Sequence, residues 1–225
     1  MPARSPTPQS HAIELARRAE AAGADALLSV VPYYNKPMQE GMLAHFRTIA
    51  ASTGLPIILR DIPPRTLRPL ADETLARLAE PRQFIGLRDG SGDVSRPMRL
   101  SRRLPSGFRL LSGDDVTAFA YIVSGSDGAI SQVSNIAPDL CRTIFSNYRQ
   151  RPTAGSTLPA KAAGAARDLH LHGKSGRSQI CVEPARPDVP LYRLPVVELD
   201  VSAKAEVART LAALADEDLT EAVEA

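Results

Sequence analysis

The residues of this chain best suited to chemistry come in adjacent pairs, Arg60 with Asp61 and Arg88 with Asp89, each at the end of a short apolar run. A guanidinium grips a carboxylate through two parallel N–H bonds and stays charged at any accessible pH. Arg65 adds a third guanidinium shortly after Asp61, and Tyr33, Tyr34 and Asn35 offer hydroxyl and amide groups after an earlier run. Gly113, Asp114 and Asp115 follow a fourth run, and Ser131 a fifth. Gathered at one place, these groups would suit a small molecule bearing a carboxylate. The residues alone leave a second reading open, in which Arg60 with Asp61 and Arg88 with Asp89 neutralise each other and hold no ligand. Asp114 and Asp115 are better placed to cap the next helix than to bind a metal.

What would gather such groups is a parallel sheet, because ligands of α/β folds meet the residues at the C-terminal ends of the strands. Over residues 10–150 apolar β-like runs alternate with amphipathic stretches, and Gly, Pro or Asp marks each boundary. Helices are expected over 10–22, 38–52, 71–79, 94–103, 115–123 and 138–148, and strands over 25–31, 56–60, 83–88, 108–112 and 128–131. Ser10 is the expected cap of the first helix, and Gly23 its left-handed stop. Uninterrupted apolar runs such as IIL and FIGL argue for strands covered on both faces. Either a barrel or a doubly wound sheet fits.

After Gln150 the periodicity stops, and residues 151–190 read as an irregular segment. Within it His170 and His172 make a weak candidate for a metal, and no metal is expected. Order is expected again over 191–225, as an extended LYRLPVVELD and then a helix over 202–215 capped by Ser202.

Composition narrows the partners. Lysine and arginine together number 27 against 25 aspartates and glutamates, a formal net charge of +2. Such a balance gives no long-range pull toward nucleic acid or an anionic membrane, so neither is an expected partner. Only Lys36, Lys161, Lys174 and Lys204 of those 27 are lysines, a bias that would also let arginine appear at a position without selection. Cys141 and Cys181 have neither metal-type nor redox-type spacing, and no signal peptide or membrane span is recognisable. A cytoplasmic protein is expected.

Five stretches, PYYNKPMQEG, ILRDIPPRT, IGLRDGSGD, LLSGDD and GAISQVSNIAP, stand in an order and spacing that resembles the dihydrodipicolinate synthase and N-acetylneuraminate lyase family. The likeness covers about residues 10–150, and a fainter one returns at RLPVVELD. It implies an α/β chain of the (β/α)8 TIM-barrel class that is incomplete, with about strands four to eight present and strands one to three missing. It also implies a class I lyase or aldolase acting on pyruvate and an aldehyde through a Schiff base, in lysine biosynthesis, without a cofactor. The position of the Schiff-base lysine is held by Arg88, and that of the proton-relay tyrosine by Arg60. Arginine keeps its proton, so it cannot attack a carbonyl as an amine does. Tyr34 matches a tyrosine that family dimers donate to a neighbouring site, Arg65 the arginine for the substrate carboxylate, with Thr66 after it, and Ile130 the residue whose backbone lines the pyruvate pocket. A homo-oligomer, dimer or tetramer, is implied.

Three functional readings follow. The first is a lyase by descent that is inactive or impaired because Arg88 replaces the lysine. The second is a non-catalytic binding module for a 2-oxo acid or dicarboxylate, using Arg65, Arg88 and Arg60. The third has Arg88 stabilising an enolate while Asp61 or Asp89 moves the proton. Five parallel strands with open edges would leave an inner face exposed and the chain prone to aggregate. The first ten residues and residues 151–179 stand where family sequence should continue, as a shifted reading frame would produce.

Overall fold

The computed structural model describes residues 8–135, 137–150 and 200–215. They fall into two units, one within Met1–Asp114 and Ala120–Ile130, the other within Asp115–Phe119 and Ser131–Ala225. The element order is α1 (Pro8–Ala21), β1 (Leu27–Val30), α2 (Gln39–Ala50), β2 (Ile57–Asp61), α3 (Pro63–Thr66), α4 (Asp72–Ala79), β3 (Phe84–Asp89), α5 (Arg96–Leu100), β4 (Arg109–Ser112), α6 (Ala118–Val123), β5 (Gly128–Ala129), a 3-10 turn (Val133–Asn135), α7 (Pro138–Gln150) and α8 (Val201–Ala215).

The five strands form one parallel sheet in sequence order, β1-β2-β3-β4-β5, and all lie in the first unit. The βα alternation dictates this, since each crossover helix returns the chain to start the next strand in the same direction. The core lies between one face of the sheet and its helices. Ile57 and Leu59 of β2 and Leu87 of β3 pack there with Phe46, Ile49, Leu75, Leu78, Leu100 and Tyr121. Burying each such aliphatic side chain stabilises the fold by about 1.5–3 kcal/mol.

The expectation of two covered faces holds for β3 and is corrected for β1 and β2 by the burial pattern. In β2 it alternates, with Ile57, Leu59 and Asp61 buried and Ile58 and Arg60 only half-buried. Leu28 on β1, the register partner of Ile58, is 47% exposed. In β3 both faces are buried from Gly86 to Asp89, as expected for that strand, so the face carrying Arg60 and Arg88 is open at β1 and β2 and closed at β3.

Several boundaries also differ. Among the described residues helix α1 already runs from Pro8, so Ser10 lies inside it and not at its cap. Helix α5 starts late, at Arg96. The preceding backbone is held by side chains instead, with Ser91 N donating to Asp89 Oδ1 at 2.9 Å and Asp93 N to Ser91 Oγ at 3.2 Å, while Ser95 N donates to Asp93 Oδ1 at 3.0 Å. Such local bonds compete with a helix for the same donors. Asp115 does not cap α6, since its carboxylate accepts the backbone N–H of Gln132 at 3.0 Å. In the second unit α8 is capped by Asp200, whose Oδ1 accepts from Ala203 N at 2.8 Å, and not by Ser202. The irregular segment over 151–190, with His170 and His172, lies outside the described residues, as do the extended stretch before Asp200 and most of the first ten positions.

Candidate functional site

Arg60 and Arg88 end parallel strands as register partners, and so do Asp61 and Asp89. Successive side chains of a strand point to opposite faces, while register partners lie on one face about 4.8 Å apart. The two arginines therefore share one face, half-buried at Arg60 and buried at Arg88, and the two aspartates share the face under the helices. Neighbours in sequence are separated by the sheet itself. This overturns the reading of Arg60 with Asp61, and Arg88 with Asp89, as mutually neutralising pairs.

On the arginine face, Arg88 is buried, and its guanidinium donates from Nε at 3.1 Å and from Nη2 at 2.8 Å to the carbonyl oxygen of Ile130. Ile130 is itself held by its N–H, which donates to Ser112 O at 2.8 Å. The end of β3 is thus tied across β4 to the residue just past β5. Gly113 permits this passage, because a Cβ there would stand 3.1 Å from Arg88 Cγ and 3.1 Å from Asp89 O. Arg60 differs from Arg88: its Nε is buried and has no hydrogen-bond acceptor among the described residues. A buried donor left without an acceptor costs about 1–3 kcal/mol.

Arg65 sits exposed on α3, a single helical turn set by Pro63 and Pro64, whose fixed φ suits its first positions. Leu67 closes that turn at φ 60. Thr66 is buried, with its hydroxyl 3.2 Å from Ile62 O and 3.1 Å from Arg68 O. It braces the turn that presents Arg65, and its hydroxyl is occupied by backbone. Tyr33 and Tyr34 are exposed on the loop after β1, Tyr34 at 87%. They border a groove of about 880 Å³ between α1 and β1, lined also by Leu15, Leu28, His11 and His45, which contains neither Arg60 nor Arg88.

On the opposite face lies a buried charged cluster, in which Asp61 Oδ1 is left without a hydrogen-bond partner among the described residues. Arg96 Nη1 donates to Asp61 Oδ2 at 2.9 Å and to Asp89 Oδ2 at 3.1 Å, its Nε to Asp72 Oδ1 at 3.0 Å, and its Nη2 to Leu70 O. Tyr121 OH donates to Asp89 Oδ2 at 3.0 Å, and Leu70 N to Asp61 Oδ2 at 3.1 Å. Burial pushes the Asp61 carboxyl above the usual carboxylate range, against the pull of Arg96. Burial also raises the Tyr121 phenol, with the Asp89 charge adding to it. At the rim, Arg99 and Ser95 hold Asp93 down at about 2. Asp61 and Asp89 are thus shut under the helices, which corrects the reading in which either moves a proton for a ligand beside Arg88.

Sequence reasoning missed Arg96 and Tyr121. The signal available was strand parity, since two aspartates facing the helices require a cation from that side, and Arg96 and Arg99 lie on the helix that follows Asp89. Nothing marked Tyr121, which sits in the apolar run AFAYIV. Among the described residues no group of three His, Cys, Asp or Glu is placed to hold a metal ion. No described helix is long and apolar enough to cross a membrane.

The model of the dihydrodipicolinate synthetase family matches residues 7–214. A 4-hydroxy-tetrahydrodipicolinate synthase of Azoarcus sp. (strain BH72) is 50% identical over 167 residues, 72% of this chain and 55% of that protein. The enzyme of the same name from Laribacter hongkongensis is 48% identical over 138 residues, 60% of this chain and 47% of that protein. The chain thus spans about half the length of the curated relatives it matches. Among solved structures, the dihydrodipicolinate synthase of Cyanidioschyzon merolae with lysine bound superposes with a TM-score of 0.86 at 27% identity, covering 92% of this chain and 71% of that one. The chloride-inhibited enzyme of Acinetobacter baumannii complexed with pyruvate gives 0.78 at 35% identity, covering 91% and 71%.

Proposed function

The chain belongs to the dihydrodipicolinate synthetase family, and from that premise we propose that it is a lyase or aldolase by descent that grips a 2-oxo acid such as pyruvate without forming a Schiff base. The observation that carries this reading is the state of Arg88. Two of its N–H groups are directed at the Ile130 carbonyl, and by the sequence resemblance its position is that of the nucleophilic lysine. Covalent chemistry there needs an amine that sheds its proton, and a guanidinium keeps its own. Arg60, in the relay tyrosine's position, cannot pass a phenolic proton either. What remains is binding: Arg65 is exposed on its braced turn, and Arg60 presents a donor with no acceptor.

The second reading, a binding module with no catalytic role, differs from the first only in turnover. Pyruvate and an aldehyde should give no condensation product above background with the purified chain. Calorimetry with pyruvate should show binding that weakens on Arg65→Ala. Turnover at rates like those of intact relatives would remove the reading, and absence of any heat would remove the acid-gripping site. Exposure of Tyr33 and Tyr34 also supports a homo-oligomeric assembly through that loop, which sedimentation of Tyr34→Asp against the unmodified chain would test.

A further inference from the structure

We propose that two copies of this chain associate edge to edge through β1, as an antiparallel pair related by a two-fold axis. The inference deepens the homo-oligomeric reading above, which rests on the Tyr33 and Tyr34 loop, by naming the strand that makes the contact. Among the described residues β1 pairs on one side only, with β2. Leu27 N donates to Pro56 O at 2.9 Å and Val31 N to Arg60 O at 3.0 Å, both toward β2. Backbone groups alternate in direction along a strand, so Leu28 and Val30 turn their N–H and C=O groups to the open edge. Such an edge is a template for another strand, and Leu27–Val30 has none of the lysines, prolines or bulges that ordinarily blunt one.

The edge is neutral and self-complementary, and both properties favour a second copy. Beside β1, α1 and α2 leave an apolar groove whose lining includes Leu15, Leu28, Tyr33 and Tyr34 and no Asp, Glu, Lys or Arg. A charged partner finds nothing there to pair with, whereas two identical neutral surfaces meet without repulsion. In the antiparallel pair Leu28 faces Val30 of the second copy and exchanges both of its hydrogen bonds, so each copy supplies what the other lacks. Ser29 then meets Ser29 of the second copy on the axis, and its small side chain keeps the close approach open. The exposed parts of Tyr33, Tyr34, Leu15 and Leu28 offer roughly 500 Å² per copy. That falls short of the roughly 800 Å² per partner of a standard interface and lies in the range of weak, reversible ones.

Sedimentation velocity of the full chain over about a hundredfold range of concentration should show a monomer–dimer equilibrium in the micromolar range. Leu28→Lys puts a charge on the edge at a position already 47% exposed. It should weaken the dimer about tenfold or more and leave the circular dichroism of the folded chain unchanged. Ser29→Cys places two thiols across the axis with Cα atoms about 4.5 Å apart, within disulfide reach. Mild oxidation of that variant should therefore yield a dimer linked through residue 29, read by peptide mapping. A chain that stays monomeric throughout overturns the proposal and leaves the acid-gripping reading untouched. So does a dimer that Leu28→Lys leaves intact, or a Ser29→Cys variant that gives no such link. Loss of the dimer in Tyr34→Asp, with Leu28→Lys still dimeric, assigns the contact to the loop and removes β1 from it.

Discussion

The two faces of the sheet handle charge in opposite ways. Beneath the helices, Asp61, Asp89, Arg96 and Tyr121 are buried and bonded to one another, so that positive and negative groups meet in one cluster, with Asp61 Oδ1 alone left unpartnered within it. One residue earlier on each strand, Arg60 and Arg88 stand side by side on the other face, where Arg60 keeps a donor without an acceptor. The cluster is architecture, fixing the ends of β2 and β3 against α5 and α6. The arginine face is the one that the proposed function uses. An adjacent Arg-Asp pair in a strand is therefore two separate devices, and the parity of the strand decides which group serves which.

The largest expected effect comes from breaking the clustered side. Arg96→Met leaves two buried aspartates without their cation and should destabilise the fold by about 3–5 kcal/mol in denaturant unfolding. Arg60→Gln on the other face removes an unpartnered buried donor and should leave stability unchanged or raise it by about 1–3 kcal/mol. Comparable losses in the two variants would erase the distinction between the faces. A smaller effect is expected for Tyr121→Phe, which deletes one hydrogen bond to a buried carboxylate and should cost about 1.5–3 kcal/mol. A neutral result would mean that Asp89 is satisfied without the phenol.

The smallest effects are in pH. Asp93 is held down at about 2 in the folded chain, so its contribution is present above the ordinary aspartate value of about 3.9 and is lost as pH falls toward 2. Asp93→Asn should therefore flatten the acid limb of the stability curve. Asp61 has the opposite sign. Its carboxyl is raised, so its contribution is greatest at low pH and declines as pH rises through the folded value. Stability of Asp61→Asn relative to the unmodified chain should then improve from acid toward neutral pH, and a slope of the same sign as that of Asp93→Asn would contradict the burial argument.

Much of this fold was legible in the sequence because βα alternation is written locally. Glycine, proline and aspartate mark the ends of elements, and all five strands lie within two residues of the expected limits. The places of Arg60 and Arg88 near the ends of their strands were legible from the βα alternation, whereas Arg65 lies on α3. The late start of α5 was harder to see, because SGDVS reads as a helix entry while its side chains hold their own backbone in turns. The Arg96 cluster stayed hidden because it joins residues on five elements, and only tertiary packing brings them together. The Arg88 tie to Ile130 was out of reach for the same reason, since it spans 42 positions.

The most direct test of the arginine face is borohydride trapping with pyruvate, read by peptide mapping, on the unmodified chain and on Arg88→Lys. The account predicts no covalent adduct on the unmodified chain and a new adduct at position 88 in the variant, where an amine replaces the guanidinium. An adduct on the unmodified chain, at any of its lysines, would contradict it.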